Sequence, residues 1–339
     1  MRVVVTGGAG FLGSHLCERL LERGDHVVCV DDLSTGRLDN LRPFMHRAGF
    51  SFVEADVSEG LPVSGPVQAV AHLASPASPR DYHRLPLETL AVGSRGTEHA
   101  LRLARDHRAR FVLASTSEVY GDPLVHPQSE DYRGNVSSVG PRSVYDEAKR
   151  FAEAISMGYQ RAQGVNVGIV RIFNTYGPRM RPGDGRVVST FITQALNGAP
   201  LTIYGDGSQT RSFCYVDDLV RGIVAMLDHH ATGPTNLGNP VEGTVRELAE
   251  MVLAITGSTS AIEQHPLPTD DPRRRRPDIT RASTSLGWQP VVGTEEGLRR
   301  TVSHFLTIPV EVAAAASSLV GNQLTATRAA AAPLLADTA

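Results

Sequence analysis

The chain of 339 residues has only three cysteines, little net charge and no long apolar run. Cys17, Cys29 and Cys214 are scattered and show no metal-ligand spacing, so a disulfide scaffold and a cysteine metal site are both disfavoured. The formal net charge of −3 disfavours a global basic field that would recruit nucleic acid. Because no apolar run approaches the roughly 20 residues of a membrane-spanning helix, a globular protein without a membrane partner is expected.

We expect this protein to be cytoplasmic. Met1 leads directly into the stretch RVVVTG, which is typical of a core strand and not of a signal peptide. An odd number of scattered cysteines also suits a reducing compartment. Hydrophobic residues make up 41% of the chain and charged residues 20%, a composition that predicts a full core and, at this length, two lobes.

A glycine-rich turn lies between the first predicted strand and the first predicted helix. Gly7, Gly10 and Gly13 have the spacing GxxGxxG, and glycine lets the backbone approach a pyrophosphate at the helix N-terminus. The next predicted strand, HVVCVDD, reaches Asp31 eighteen residues after Gly13. An acid there accepts hydrogen bonds from both adenosine ribose hydroxyls and repels a 2′-phosphate. This order of elements favours an NAD site over an ordinary glycine turn followed by an acidic loop.

A second motif combines a tyrosine and a lysine with a polar run. Tyr145 and Lys149 are four residues apart, so they share one face of a predicted helix. A phenol beside an ammonium and a positively charged nicotinamide is stabilised as phenolate, a base for a sugar hydroxyl near neutral pH. The spacing alone is a weak signal, and the run LASTSEVYGD, with Thr116, Ser117 and Glu118, strengthens it.

Strand-like and helical segments alternate along most of the chain. This alternation predicts an α/β fold with a doubly wound parallel sheet of the Rossmann type and a smaller C-terminal substrate lobe. We expect an NAD-binding domain over residues 1–176, with return segments near 213–240, and a nucleotide-sugar lobe over 177–307. The Ala-rich stretch 308–339 is predicted to be a loose helix, a packed partner helix or a disordered tail.

These motifs resemble those of the extended short-chain dehydrogenase/reductases that act on nucleotide sugars. The resemblance also includes HLASPASP, RIFNTYGPRM, YGDGSQTRSFCYVDDLV and DDPRRRRPDI, and it runs from about residue 1 to 306. It implies a redox-neutral decarboxylation of UDP-glucuronate to UDP-xylose with NAD as cofactor. It further implies a homodimer that pairs through helices beginning near Leu87 and Val144.

The resemblance implies a role for each residue of the tyrosine motif. Tyr145 removes the proton of the sugar 4-hydroxyl, Lys149 holds the nicotinamide ribose and lowers the Tyr145 pKa, and Thr116 hydrogen-bonds the same oxygen. Oxidation at C4 makes the C6 carboxylate part of a β-keto acid, which loses carbon dioxide because the electrons flow into an enolate. Reduction at C4 and a proton on C5 then complete the product.

Position 117 separates the alternatives within this family. Related 4,6-dehydratases carry Asp-Glu where this chain has Ser117 and Glu118, because they need an acid for a departing hydroxyl. The resemblance places Ser117 and Glu118 near the C5 protonation and Arg275 near the sugar carboxylate or the phosphates, with their division of roles left open. A dehydratase and a non-catalytic NAD-sensing module remain the alternatives. Such modules commonly lose the tyrosine or the lysine of this motif, whereas this chain keeps both Tyr145 and Lys149.

The resemblance also assigns binding residues. The cofactor-binding candidates are Gly7, Gly10, Phe11, Leu12, Gly13, Asp31, Asp32, Ser34, Thr35, Gly36, Asp56, Val57, Leu73, Ala74, Ser75, Tyr145, Lys149 and Thr175. The substrate-binding candidates are Asn174, Arg186, Tyr204, Gln209, Arg211 and Arg275. Guanidinium groups such as these balance the charge of a diphosphate well. The basic run 273–276 lies between acidic neighbours, which disfavours a nucleic-acid patch.

Several positions depart from the family pattern. Ala91 stands where similar proteins carry a substrate-holding lysine, Gly93 replaces an asparagine, Ala148 a glycine and Cys214 a glutamine, and Arg80 is added near the predicted pocket mouth. None of these changes removes a catalytic group. Loss of the lysine weakens the hold on the substrate, which leads to the hypothesis that some 4-keto intermediate escapes as UDP-4-keto-pentose.

Overall fold

The computed structural model describes residues 1–266 and 274–308. The strands are β1 (Arg2–Thr6), β2 (His26–Asp31), β3 (Phe50–Glu54), β4 (Ala69–His72), β5 (Arg110–Thr116), β6 (Asn166–Ile172), β7 (Thr175–Tyr176), β8 (Leu201–Tyr204), β9 (Thr210–Ser212), β10 (Cys214–Tyr215), β11 (Gly233–Leu237), β12 (Glu242–Thr244), β13 (Ile262–His265) and β14 (Arg274–Arg275). The helices are α1 (Phe11–Glu22), α2 (Pro79–Arg84), α3 (Pro86–Ala91), α4 (Thr97–His107), α5 (Ser143–Gln163), α6 (Val187–Leu196), α7 (Val216–Asp228), α8 (Val245–Thr256), α9 (Thr280–Leu286) and α10 (Thr294–Phe305). A π-helical turn, Val92–Gly96, joins α3 to α4, and 3-10 turns cover Leu38–Asn40 and Ser117–Tyr120.

A parallel sheet of seven strands forms the centre of the fold, in the order β11-β6-β5-β4-β1-β2-β3. The strand order reverses between β1 and β4, and ligands of doubly wound sheets bind at the crevice that this reversal opens. The predicted fold class is therefore confirmed. Strand β11 returns to this sheet beside β6, while the predicted domain boundary at residue 176 stays a prediction.

The core lies on both faces of this sheet because successive side chains of a strand point to opposite sides. Val3 and Val5 of β1 belong to a cluster that includes residues of α1 and α7, whereas Val4 belongs to a second cluster with residues of α4. With apolar residues buried on both faces, β1 is held rigidly. The glycine turn that follows it therefore has a fixed starting point.

A small sheet in the C-terminal half places basic side chains next to one another. Its strand order is β12-β9-β14, and the parallel pairing of β14 with β9 sets Arg275 opposite Arg211. The Ala-rich tail predicted after Ile308 and the residue Arg273 lie outside the described residues. Among the helices that the structure describes, none has the length and apolar character needed to cross a bilayer.

Candidate active site

One large cavity of about 840 Å³ lies where β1, β2, β4, β5 and β6 end. Its wall includes every cofactor-binding, substrate-binding and catalytic candidate from the sequence except Gly36. Gly36 lies directly beside the wall, since a Cβ there would stand 2.5 Å from Oδ1 of Asp31. Residues from both halves of the chain thus meet at one site, while their individual roles stay predictions.

The glycine turn leaves room for a group to approach the backbone. Gly7 has a φ of +70°, and a Cβ there would stand 2.7 Å from the backbone nitrogen of Ala74. A Cβ on Gly13 would stand 2.1 Å from the carbonyl oxygen of Gly7. Gly10, which precedes α1, supplies no side-chain cap, so the first amides of the helix remain available to an anion. This turn fits the pyrophosphate of a dinucleotide.

Asp31 is fixed at the end of β2 by its neighbours. Its Oδ2 accepts a hydrogen bond from the Ala9 amide and its Oδ1 one from the Leu33 amide, both at 2.9 Å. Burial raises the pKa of Asp31, and the two amide hydrogen bonds oppose this shift. Each carboxylate oxygen keeps a further lone pair, so Asp31 fits the ribose hydroxyls of NAD.

Tyr145 and Lys149 lie in the first turns of α5, and both are buried. The Lys149 ammonium donates to the carbonyl oxygen of Ala114 at 3.0 Å and lies 5.9 Å from the centre of the Tyr145 ring. The Tyr145 ring stacks on Tyr82, with centroids 5.1 Å apart and planes inclined by 11°. The predicted common helix face of Tyr145 and Lys149 is thus present, and a second aromatic ring fixes the phenol.

The ionisation of this pair follows from its burial. Burial raises the pKa of Tyr145 above its ordinary value, while the hydrogen bond with Thr116 lowers it. Burial also lowers the pKa of Lys149 to about 8. The charges of the protein alone therefore leave Tyr145 as a neutral phenol at neutral pH, and the phenolate expected from the sequence requires additional positive charge, as a bound nicotinamide would supply.

Glu118 is held between two arginines. Arg142 donates to its Oε2 at 2.8 Å, and Arg275 forms a very short ion pair with its Oε1. Burial alone would raise the pKa of Glu118, but Arg275 and Arg142 hold this pKa below its usual value. Glu118 is therefore an ionised carboxylate with a fixed orientation and not a free acid.

Arg275 has further donors besides those used on Glu118. Its Nη2 donates to the carbonyl oxygen of Gly121 at 2.8 Å. Its Nε is buried and has no hydrogen-bond partner among the described residues. Since Arg275 also lines the cavity beside Arg211, this corner of the site is suited to an anionic ligand group.

The other substrate-binding candidates surround the outer part of the cavity. Nε of Arg186, which lies directly before α6, is 3.3 Å from a carboxylate oxygen of Asp184. Arg211 donates to the carbonyl oxygen of Thr210 at 2.9 Å. The half-exposed Tyr204 accepts at its backbone carbonyl from the Gln209 amide at 2.7 Å. Asn174 lies on the wall near the end of β6.

Sequence reasoning missed Tyr82, Arg142 and Asp146. Arg142 stands three residues before Tyr145, a spacing that brings side chains together on a helix start and could have indicated it. Asp146 does not line the cavity, but its Oδ1 is buried without a partner among the described residues. Burial raises the pKa of Asp146 to about 7, and the charge of Glu118 adds to this shift.

Metal chemistry has no candidate centre in the described ranges. Within residues 1–266 and 274–308, no group of three or more His, Cys, Asp or Glu side chains is arranged to hold an ion. His72, for example, is buried and hydrogen-bonds Thr6 at 2.8 Å and Thr97 at 3.2 Å. Burial lowers its pKa to about 3, so it is neutral.

Comparison with known proteins agrees with the NAD site that the geometry indicates. The NAD dependent epimerase/dehydratase family matches residues 3–238. The chain is 51% identical over 305 residues to UDP-glucuronic acid decarboxylase 1 of Arabidopsis thaliana, an alignment that covers 90% of this chain and 70% of that protein. It is 50% identical over 304 residues to UDP-glucuronic acid decarboxylase 1 of Danio rerio, with 90% and 72% covered.

Solved structures share the same fold. UDP-glucuronic acid 4-epimerase from Bacillus cereus, in complex with UDP-glucuronic acid and NAD, superposes with a TM-score of 0.80 at 30% identity and covers 90% of this chain and 99% of its own. UDP-glucose 4-epimerase from Thermotoga maritima, with UDP-glucose, superposes with a TM-score of 0.81 at 31% identity over 90% and 99% of the two chains.

Proposed function

Because this chain belongs to the NAD dependent epimerase/dehydratase family, we propose that it catalyses the NAD-dependent decarboxylation of UDP-glucuronate to UDP-xylose. The identity of about one half to UDP-glucuronic acid decarboxylases over 90% of the chain supports this activity. The observation that carries the proposal within the site is the ion pair of Glu118 with Arg275 beside Tyr145, next to a serine at position 117. A 4,6-dehydratase would need an acid at position 117.

The reaction begins at the sugar 4-hydroxyl. The glycine turn with Gly7 and Gly10, together with Asp31, would hold NAD, which would supply a reversible hydride acceptor for C4. Tyr145 takes the hydroxyl proton as a phenolate, the form that requires the positive charge of a bound nicotinamide, and stacking on Tyr82 fixes the ring. Lys149 stabilises the phenolate electrostatically and holds the nicotinamide ribose. The resulting 4-ketone makes the sugar carboxylate a β-keto acid, which releases carbon dioxide.

Protonation of C5 falls to the group around Glu118. Glu118 is ionised and fixed by two arginines, so it orients a donor better than it donates a proton itself. Ser117 is adjacent on the cavity wall, and its hydroxyl relays a proton from water to C5. Arg275 lines the cavity, where its positive charge attracts the sugar carboxylate or a phosphate, and Arg186 and Arg211 balance the remaining diphosphate charge.

We also propose that the site releases part of the 4-keto intermediate before it is reduced. Ala91 is the last residue of α3, where the family resemblance expects a lysine that holds the substrate. A methyl group cannot replace this charge. A fraction of the product is therefore expected as UDP-4-keto-pentose.

We further propose a cytoplasmic homodimer. Leu87 and Leu90 on α3 and Phe151 on α5 are 74%, 40% and 49% exposed. Helices α3 and α5 pack together, so the three side chains belong to adjacent elements of one surface. Adjacent exposed apolar side chains are typical of protein interfaces, and a two-fold dimer uses the same surface twice.

Incubation of the purified protein with UDP-glucuronate, with and without added NAD, tests the activity. NMR and mass spectrometry should show UDP-xylose, carbon dioxide and some UDP-4-keto-pentose, and Tyr145→Phe should abolish turnover. UDP-galacturonate as the product would instead indicate a 4-epimerase, the activity named for the Bacillus cereus neighbour. Unchanged substrate alongside bound NAD would contradict the proposal and favour a sensor module.

A further inference from the structure

A partly buried ion pair joins the tyrosine helix to the central sheet outside the cavity. Arg171 of β6 donates from Nε to Oε1 of Glu153 at 2.9 Å and from Nη2 to Oε2 at 2.7 Å. The two side chains are only 12% and 14% exposed. Neither lines the cavity, so neither can touch a ligand there.

Glu153 lies on the same helix face as the proposed catalytic pair. It follows Tyr145 by eight residues and Lys149 by four, which is close to whole turns of α5. Its Oε1 also accepts a hydrogen bond from the Ser115 hydroxyl at 2.6 Å. Ser115 directly precedes Thr116, the hydrogen-bond partner of the Tyr145 phenol.

Arg171 extends the same connection to the turn that carries Glu118. Its Nη1 donates to the Tyr120 hydroxyl oxygen at 3.0 Å and to the carbonyl oxygen of Glu130 at 3.1 Å. The guanidinium also lies 4.9 Å from the centre of the Tyr120 ring. Tyr120 is the last residue of the turn Ser117–Tyr120. We call Ser115, Tyr120, Glu153 and Arg171 the Glu153 brace.

Desolvation of Glu153 and Arg171 costs free energy, so a gain in stability does not by itself account for this ion pair. Replacing a buried ion pair by well-packed hydrophobic side chains of similar volume is often neutral for stability, because desolvation offsets the attraction. What a two-point arginine–carboxylate contact supplies is a fixed relative orientation of both partners. Here the partners are α5 and the ends of β5 and β6.

We propose that Glu153 is a positioning residue for the reaction, which holds α5 in register with the end of β5 so that the Tyr145 phenol stays on Thr116. The kinetic part of this inference rests on the proposed decarboxylase function. A base displaced by a fraction of an ångström still lets the substrate bind but reacts more slowly, and an error of about 1 Å can cost about 100-fold. The brace therefore acts on kcat and leaves KM unchanged.

Steady-state kinetics of Glu153→Gln with UDP-glucuronate tests this effect. The amide keeps the shape and an acceptor for Ser115 but loses the charge that Arg171 requires. We expect kcat to fall by about 10- to 100-fold and KM to stay within about twofold. Glu147→Gln is the matched control, since it removes the half-exposed pair with Arg150 from the same helix and should keep wild-type kcat. A wild-type kcat in Glu153→Gln would overturn the inference.

The double variant Glu153→Gln/Arg171→Gln separates positioning from stability. Removing both charges leaves no unpaired buried charge, so its melting temperature should recover relative to Glu153→Gln. Its kcat should stay at least about 10-fold below wild type because the two-point contact is gone. Recovery of kcat together with the melting temperature would show a structural role only and overturn the inference.

Ionisation of Tyr145 gives a readout that does not depend on turnover. Ultraviolet titration of the NAD-loaded protein, with Tyr145→Phe subtracted, reports the tyrosinate. The double variant is used because an unpaired Arg171 would itself lower the Tyr145 pKa. We expect its titration midpoint at higher pH than wild type, since the Thr116 hydrogen bond lowers this pKa. If the wild type leaves UDP-glucuronate unchanged, the proposed function fails, and an unchanged midpoint separately overturns the brace.

Discussion

Glu118 and Arg275 form an ion pair across 157 positions of sequence. Glu118 lies in the turn after β5, whereas Arg275 comes from the short strand β14 in the C-terminal half of the chain. The pair connects the sheet that carries the dinucleotide turn with the small sheet that carries Arg211. Completion of the site therefore requires both halves of the fold.

Removal of the Arg275 charge should change the pH dependence as well as the rate. Arg275 lowers the Glu118 pKa, so Arg275→Gln raises this pKa and moves the acid limb of the kcat/KM profile to higher pH. We expect kcat/KM at neutral pH to fall on the order of 100-fold, because the Glu118 carboxylate also loses one of its two arginine partners. Arg274→Gln, at the exposed neighbouring position, is the control. An acid limb at the wild-type pH in Arg275→Gln would contradict the assignment.

Asp31 should determine the preference for NAD. In Asp31→Asn the side chain keeps its size next to Gly36, where space is short, but the negative charge that repels a 2′-phosphate is lost. We expect NAD to bind more weakly and the ratio of NADP to NAD affinity to rise by about 10-fold or more, which is about 1.4 kcal/mol. Calorimetric titration with both dinucleotides measures this ratio. Asp39→Asn, at a half-exposed carboxylate outside the cavity wall, is the control, and an unchanged ratio in Asp31→Asn would remove Asp31 from cofactor selection.

Local patterns predicted the sheet, the glycine turn and the common face of Tyr145 and Lys149, since each depends on neighbours in sequence. The contacts that complete the site depend on tertiary packing. The pairing of Glu118 with Arg275 needs β14 beside β9, and no spacing rule gives that register. The stacking of Tyr82 on Tyr145 likewise arises from packing between α2 and α5.

The π-helical turn before α4 should tolerate no side chain at Gly93. A Cβ there would stand 2.7 Å from Cβ and 2.9 Å from the carbonyl oxygen of Ala148 on α5. We expect Gly93→Ala to lower the free energy of unfolding by about 1–3 kcal/mol in denaturant titrations. Adding Ala148→Gly should restore only part of this loss, because the carbonyl contact persists. Full additivity of the two changes would contradict direct packing between them.

The proposed dimer interface can be tested by placing negatively charged side chains on it. Leu87→Glu combined with Phe151→Glu places carboxylates on the apolar surface of α3 and α5, and like charges would face each other across a two-fold axis. Light scattering after gel filtration should show a dimer for wild type and a monomer for this variant. Val291→Glu is the control, since Val291 is also an exposed apolar residue, on the loop before α10. A wild-type monomer would exclude the dimer at the tested concentration.

Asp146 should make the protein less stable as the pH rises. Because burial raises its pKa in the folded state to about 7, the folded protein retains a proton that the unfolded chain releases, so stability falls between about pH 4 and pH 7. Asp146→Asn removes this penalty. We expect its free energy of unfolding to exceed that of wild type by a few kcal/mol, roughly 2–4, at pH 8, because one pKa unit is about 1.4 kcal/mol.

The gain from Asp146→Asn should be only about a third as large at pH 5, because the stability loss has then accumulated over only about one pH unit above the pKa of the unfolded chain. Urea unfolding of both proteins at several pH values between these limits measures the difference directly. A gain that is equal at pH 5 and pH 8 would mean that Asp146 does not carry the raised pKa, and that its unpartnered Oδ1 is stabilised in some other way.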